Sequence, residues 1–269
     1  MKKLTKKQSR WLSLIPIARG SHDEKQREYC VMEAVAYIAG EEHTDAPKCA
    51  CPYLTDLLID WNDALATDKE RNRLLKPLIP NIVGTKGKPA VSVKREILAR
   101  NWLLRTYLPY LVRVSETGEI VAKSLEKLPV VRSQLDFEER SESISGIARA
   151  YFAYFSDLDL FVNPPLGLVE SHLDHISVQT GLSALLETSY KLGQISSVSG
   201  VSYNDAISSC LVRYFNNQSL DPAKRKGWPK KVGAFSDEPS EFLGKVFKPV
   251  IDKSTALFSQ LVLDMCKVK

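Results

Sequence analysis

The residues best equipped for chemistry fall between Tyr29 and Cys51. His43, Asp45, Cys49 and Cys51 lie within nine residues, and Cys30 sits a little upstream. Thiolates and imidazoles are the ligands zinc prefers, so Cys30, His43, Cys49 and Cys51 form a candidate tetrahedral set. Their spacing argues against it, because structural zinc knuckles separate paired cysteines by two to four residues, whereas Cys49 and Cys51 are separated by one. The plainer expectation is a structured turn. Asp45 would accept backbone N–H bonds ahead of Pro47, and Cys49 would pack as a small hydrophobe.

Glu33 is the one acid in the apolar run from Tyr29 to Ala39. A buried carboxylate can act as a general acid or base. It can equally pair with an arginine or a helix N-terminus, and Arg71, Arg73 and Arg105 are the candidate partners. Downstream, His172 and His175 stand three apart around Asp174, on one helical face that suits a metal or a phosphate. The competing reading is a helix first turn with Asp174 set against the dipole. No metal is assigned to either cluster, and no cofactor.

Two basic clusters point to binding. Lys2, Lys3, Lys6, Lys7 and Arg10 precede Trp11 without an acid among them. The stretch Lys224, Arg225, Lys226, Trp228, Lys230 and Lys231 sets five cations around an aromatic ring. Such groups neutralise phosphates, and a tryptophan stacks on bases. They also occur on ordinary solvated loops. The chain has no nucleophile elbow and no phosphate loop. Gly84, Thr85, Lys86, Gly87 and Lys88 lack the Ser/Thr and the preceding strand that such a loop requires, and read as a turn.

The elements that must position these groups are helical. Ser21 and Glu24 have capping-box spacing, predicting a helix that runs to about Ala39 and stops at Gly40. Leu54, Leu57, Leu58, Trp61 and Leu65 line one face of a second helix. Thr67 and Glu70 cap a third, which Pro77 and Pro80 end or kink. A helix from about Ser92 carries Ile97, Leu104, Leu108 and Leu111 and breaks near Pro109. A short one covers Glu119–Leu128. Beyond it, Ile144, Ile147, Ala148, Tyr151, Phe152 and Phe155 form a stripe, 163–167 is a loop, and helices are predicted at 170–193, 203–217 and 238–265, the last kinked near Pro249. The only strand candidates are the ValGlyThr run at 83–85 and residues 158–162. The fold class is all-α: a multi-helix bundle, or two helical subdomains, divided into 1–131 and 132–269.

Composition agrees with a globular chain: 269 residues, 44% hydrophobic and 26% charged. The net charge of +5 is uneven, since residues 1–131 hold 22 Lys/Arg against 16 Asp/Glu. That excess permits an acidic partner without requiring one. No apolar run is long enough for a membrane span, and no secretory leader is evident. Five cysteines, odd in number and sparse, predict reduced thiols in the cytoplasm.

The runs CysValMetGluAlaValAlaTyrIleAlaGlyGlu (30–41), HisThrAspAlaPro (43–47), TrpAsnAspAla (61–64), LeuLeuLysProLeuIleProAsnIleValGlyThr (74–85) and AsnTrpLeuLeuArgThrTyrLeuProTyrLeu (101–111) resemble an uncharacterised family of α-helical proteins. That family is associated with actinobacterial genomes and with phage or other mobile elements, and the similarity covers about residues 28–130. It implies an intracellular helical protein and supplies no activity. The sequence therefore predicts a cytoplasmic, non-enzymatic interaction protein that binds a protein partner. Nucleic-acid binding through the 224–231 loop is the alternative, and a metal-dependent enzyme the third reading.

Overall fold

The structure, a computed structural model, describes residues 3–136, other than 24, 26, 66, 114–118 and 134, together with 239–269. The features expected at 137–238, including His172, His175, the 224–231 loop and the strand candidate at 158–162, lie outside the described residues. Within them the chain is all-α. Its helices are α1 (Lys6–Leu14), α2 (Val31–Ala39), α3 (Pro52–Ala64), α4 (Asp68–Leu75), α5 (Ile79–Ile82), α6 (Pro89–Trp102), α7 (Leu108–Arg113), α8 (Glu119–Lys127) and α9 (Pro239–Lys267). The expected ValGlyThr strand at 83–85 is instead a turn, with Gly84 at φ +81° and Thr85 N–H bonded back to Ile82. Among the described residues the only β pairing is an isolated parallel bridge between Ile17 and Tyr29.

Two compact units divide the chain. The described part of the first is 3–99 with 255–269, and of the second 100–136 with 239–254. Within the described residues the chain passes between units inside α6 and inside α9.

The first unit is built around α2. Seven of its nine residues are buried, as the near-continuous apolar run from Tyr29 to Ala39 requires. Gly40 ends it in the left-handed conformation (φ +83°), and the N–H of Glu41 closes back on Ala36. A glycine suits this position because a Cβ is strained there. The start differs from expectation. Ser21 does not cap this helix; it begins ten residues later, at Val31, with Cys30 and Glu33 forming the capping box. Arg27 has a positive φ of 56°, which a right-handed helix does not accommodate, so the helix cannot run through it.

On α3, Leu54, Leu57, Leu58, Trp61 and Leu65 are all buried, as their spacing predicts. Pro52 opens the helix at a position where its missing N–H costs nothing. Trp61 meets Phe258 of α9 edge to face, with centroids 4.5 Å apart. Thr67 caps α4, accepting from the Glu70 N–H. The buried Arg71 reaches back to close α3: its guanidinium donates to the carbonyls of Asn62 and Leu65 and pairs with Asp68.

In the second unit the helix from α6 does not break at Pro109. A π turn, Leu103–Tyr107, joins it to α7. Proline lacks an N–H and its ring crowds the carbonyl four residues back, and the wider turn immediately upstream takes up that misfit. The Tyr107 ring stacks on Trp102 and its hydroxyl donates to Ser254, at 3.0 Å. Asn101 exchanges two hydrogen bonds with the backbone of Val131, and Arg105 caps α8 at the Leu128 carbonyl.

Arg113 holds Glu119 and Glu126 of α8 together at the surface, at 2.8 and 2.5 Å. Its hydrogen bonds keep both carboxyls below their ordinary range. A lowered folded-state pKa contributes stability above the unfolded value and loses it as pH falls through the folded one. Arg113→Gln should therefore lower the melting temperature slightly at neutral pH in low salt. The difference should vanish in acid and in high salt, because exposed pairs are screened. A difference that persists in both conditions would refute this account.

Candidate functional site

The polar groups singled out in the sequence converge partly, at the N-terminus of α2. Glu33 is 1% exposed, and its position three residues past the cap turns its carboxylate back onto the N–H of the cap residue, Cys30, and the loop before it. One oxygen accepts the backbone N–H of His22 at 2.7 Å. The other accepts that of Cys30 at 2.7 Å and stands 3.2 Å from His22 Nδ1. His43 Nε2 lies 3.6 Å from the first oxygen and 2.7 Å from the His22 carbonyl. The arginines expected beside Glu33 are elsewhere: Arg71 closes α3, Arg105 caps α8, and Arg73 is an exposed residue of the last turn of α4. Histidines and backbone amides satisfy the carboxylate instead.

The partners orient both rings. A carbonyl can only accept, so His43 carries its proton on Nε2. His22 faces a carboxylate on each side, with Nδ1 toward Glu33 and Nε2 toward Glu28, 3.7 Å away. A carboxylate holding one imidazole nitrogen so that the other can take a proton is an arrangement seen in catalytic sites. Here the His22 side chain is 8% exposed, and its Nε2 faces a second carboxylate. What the cluster does is bind the loop before α2 and the loop after it to the first turn of α2.

The four metal candidates are parted. Cys30 caps α2 and takes the Glu33 N–H on its sulfur. Cys51 sits at the N-cap of α3, its sulfur 3.1 Å from Ser92 Oγ. The His43 Nε2 is committed to a carbonyl. Among the described residues no group of three or more His, Cys, Asp or Glu is arranged to hold an ion. The turn at 43–49 is structured as expected, but by other residues than Asp45. Thr44 accepts the Ala46 N–H, and the Glu41 carboxylate accepts those of Lys48 and Cys49, at 2.6 and 2.8 Å.

Cys30, Cys49, Cys51 and Cys266 are free thiols. Burial pushes Cys30 up to about 12 and Cys266 up to about 11. At Cys51 burial is outweighed by the Ser92 hydroxyl, the Leu54 N–H and Arg95, and the net shift is downward. Only the thiolate is nucleophilic. Iodoacetamide on the native protein at neutral pH, followed by peptide mapping, should therefore label Cys49 before Cys30, with denaturant equalising them. Equal native rates would refute the buried placement of Cys30.

Asn62 and Asp63, quoted above only within the TrpAsnAspAla run, and Asn72 were assigned no role from the sequence, yet they fasten the backbone at Ile17, Ala18, Gly20 and Val31. Asn62 donates to the Ala18 carbonyl and accepts the Val31 N–H. Asp63 accepts the Gly20 N–H at 2.9 Å, and Asn72 pairs with both backbone groups of Ile17. The available signal was an Asn-Asp pair following a core tryptophan on an amphipathic helix, where water-facing polarity alone does not require it.

A second surface lies on α1. Its Thr5 and Gln8 form a capping box, and Gln8 also donates to the Ile38 carbonyl near the end of α2. Leu12 and Ile15 are buried, and Trp11 stacks on Tyr37 with centroids 3.7 Å apart. The opposite face carries Lys6, Lys7 and Arg10, and Lys3 stands in the extended segment before the helix; all four are exposed. Among the described residues none of the four forms an ion pair.

Comparison with protein-family models, curated proteins and solved structures finds no match for this chain. No described helix is long and apolar enough to cross a membrane.

Proposed function

We propose that this chain is a cytoplasmic, non-enzymatic interaction protein of phage or mobile-element origin that works by binding a partner protein. The observation that carries the reading is the surface around α1. There Leu14 is 73% exposed and Tyr37 41% exposed, beside the half-buried Trp11 and the cation of Arg10. Tryptophan, tyrosine and arginine are the residue types that most often dominate binding energy at protein interfaces. The free thiols are in keeping with a reducing compartment. The resemblance of residues 28–130 to a helical mobile-element family supports the origin.

The test is recovery of the tagged full chain from its native cell after cross-linking, with and without nuclease. A protein present in stoichiometric amount and indifferent to nuclease is the expected result. Recovery of nucleic acid alone would replace this reading with the nucleic-acid one.

A further inference from the structure

We infer that the outward face of α1 is the docking surface, and that its occupant is an acidic amphipathic protein segment. The inference rests on the interaction reading above and specifies its site and partner chemistry.

Charge sets the first requirement. On α1, Lys6, Lys7 and Arg10 recur at helical spacing and so share one stripe, with Lys6 and Arg10 about 6 Å apart along the axis, and Lys3 lies in the extended segment just before it. Residues 1–22 contain no acid. An uncompensated row of cations attracts a polyanion and speeds its arrival.

The apolar side chains decide which polyanion. Leu14 continues the same stripe one turn beyond Arg10, and Tyr37 stands beside it through the stack on Trp11. An exposed leucine within a cationic row has no counterpart on a phosphate backbone, where contacts are polar. An amphipathic acidic helix supplies both halves: carboxylates opposite Lys6, Lys7 and Arg10, and an apolar side chain over Leu14 and Tyr37. A lipid surface is disfavoured because the apolar face of α1 is already spent. Leu12 and Ile15 are buried in the fold, and an interfacial helix must keep that face for the membrane.

The test titrates the full-length protein against a fluorescein-labelled Glu/Leu amphipathic helix, with its Glu→Gln analogue and a short duplex DNA as controls. The variants are Lys6→Glu with Arg10→Glu, and Leu14→Ser. All three positions are exposed, and circular dichroism checks folding. The acidic peptide should bind, weaken with salt, and lose about tenfold or more in affinity to the charge reversal and severalfold to Leu14→Ser. The Gln analogue should bind no better than the charge-reversed protein binds the acidic peptide.

Failure of the acidic peptide to bind the wild-type protein overturns the inference. So does DNA binding that is tighter, sensitive to the charge reversal and blind to Leu14→Ser. If a partner protein captured from cells is held equally by wild type and both variants, the α1 surface is wrong while the interaction reading stands. If no protein partner is captured at all, that reading falls too.

Discussion

Glu33→Ala should destabilise the first unit by about 3–5 kcal/mol, the cost typical of removing one partner from a buried charged cluster. The reason is an accounting of donors. The carboxylate accepts the backbone N–H groups of His22 and Cys30 and faces the imidazole of His22. Alanine leaves those donors without an acceptor, in a place where water reaches poorly, and each costs about 1–3 kcal/mol. It also removes a negative charge from the positive end of α2. Urea unfolding measures the loss. Glu33→Gln keeps one acceptor oxygen but turns an amide NH₂ toward a donor, so it should fall between wild type and alanine. An alanine variant within about 1 kcal/mol of wild type would mean that the cluster contributes little.

The second large effect is expected at Arg95, which is 2% exposed. Its Nε and Nη2 donate to the carbonyls of Met265 and Val268 at 2.9 Å, and its Nη1 to that of Thr85 at 2.6 Å. One side chain thus satisfies the orphan carbonyls at the end of α9 and ties them to the turn before α6. Hydrogen bonds to a charged group contribute about 1.5–3 kcal/mol each, and the shared loss should again total about 3–5 kcal/mol. Arg95→Met, similar in reach and without donors, should release residues 255–269 to faster amide exchange. Arg95→Lys should recover only part of the protection, because an ammonium cannot present the planar fork that meets three carbonyls at once. Unchanged exchange in the Met variant would show that the packing of Phe258 and Met265 holds the segment without help.

These two residues also mark the boundary of what was legible in the sequence. Helix periodicity located α3 closely, because a buried stripe must repeat every three or four residues whatever it packs against, and the capping spacing of Thr67 and Glu70 located the start of α4. Gly40 was readable as a stop for a local reason, its left-handed backbone. Glu33 was readable as unusual, but its partners were not. They come from a loop before α2 and a loop after it, and loop backbone amides carry no sequence signature. The Ser21 capping spacing misled because Cys30 supplies the same spacing to Glu33, with sulfur in place of a hydroxyl. Arg95 was invisible for a related reason, since carbonyls some 170 residues away leave no trace near it. At Pro109 the expected break is a π turn, an adjustment that depends on the helix having packed partners on both sides of the proline.

The pairing of Trp61 with Phe258 has an effect on the order of assembly. A nascent chain emerging from the ribosome presents α2 and α3 long before residues 255–269 exist, and the indole must wait without its cover. Contacts so distant in sequence form late and slowly. For that interval the newborn first unit displays an oily seam to its surroundings, the kind of surface that invites chaperones or clumping. Synthesis rate and chaperone supply, as much as final stability, would then govern how much of this protein a cell accumulates.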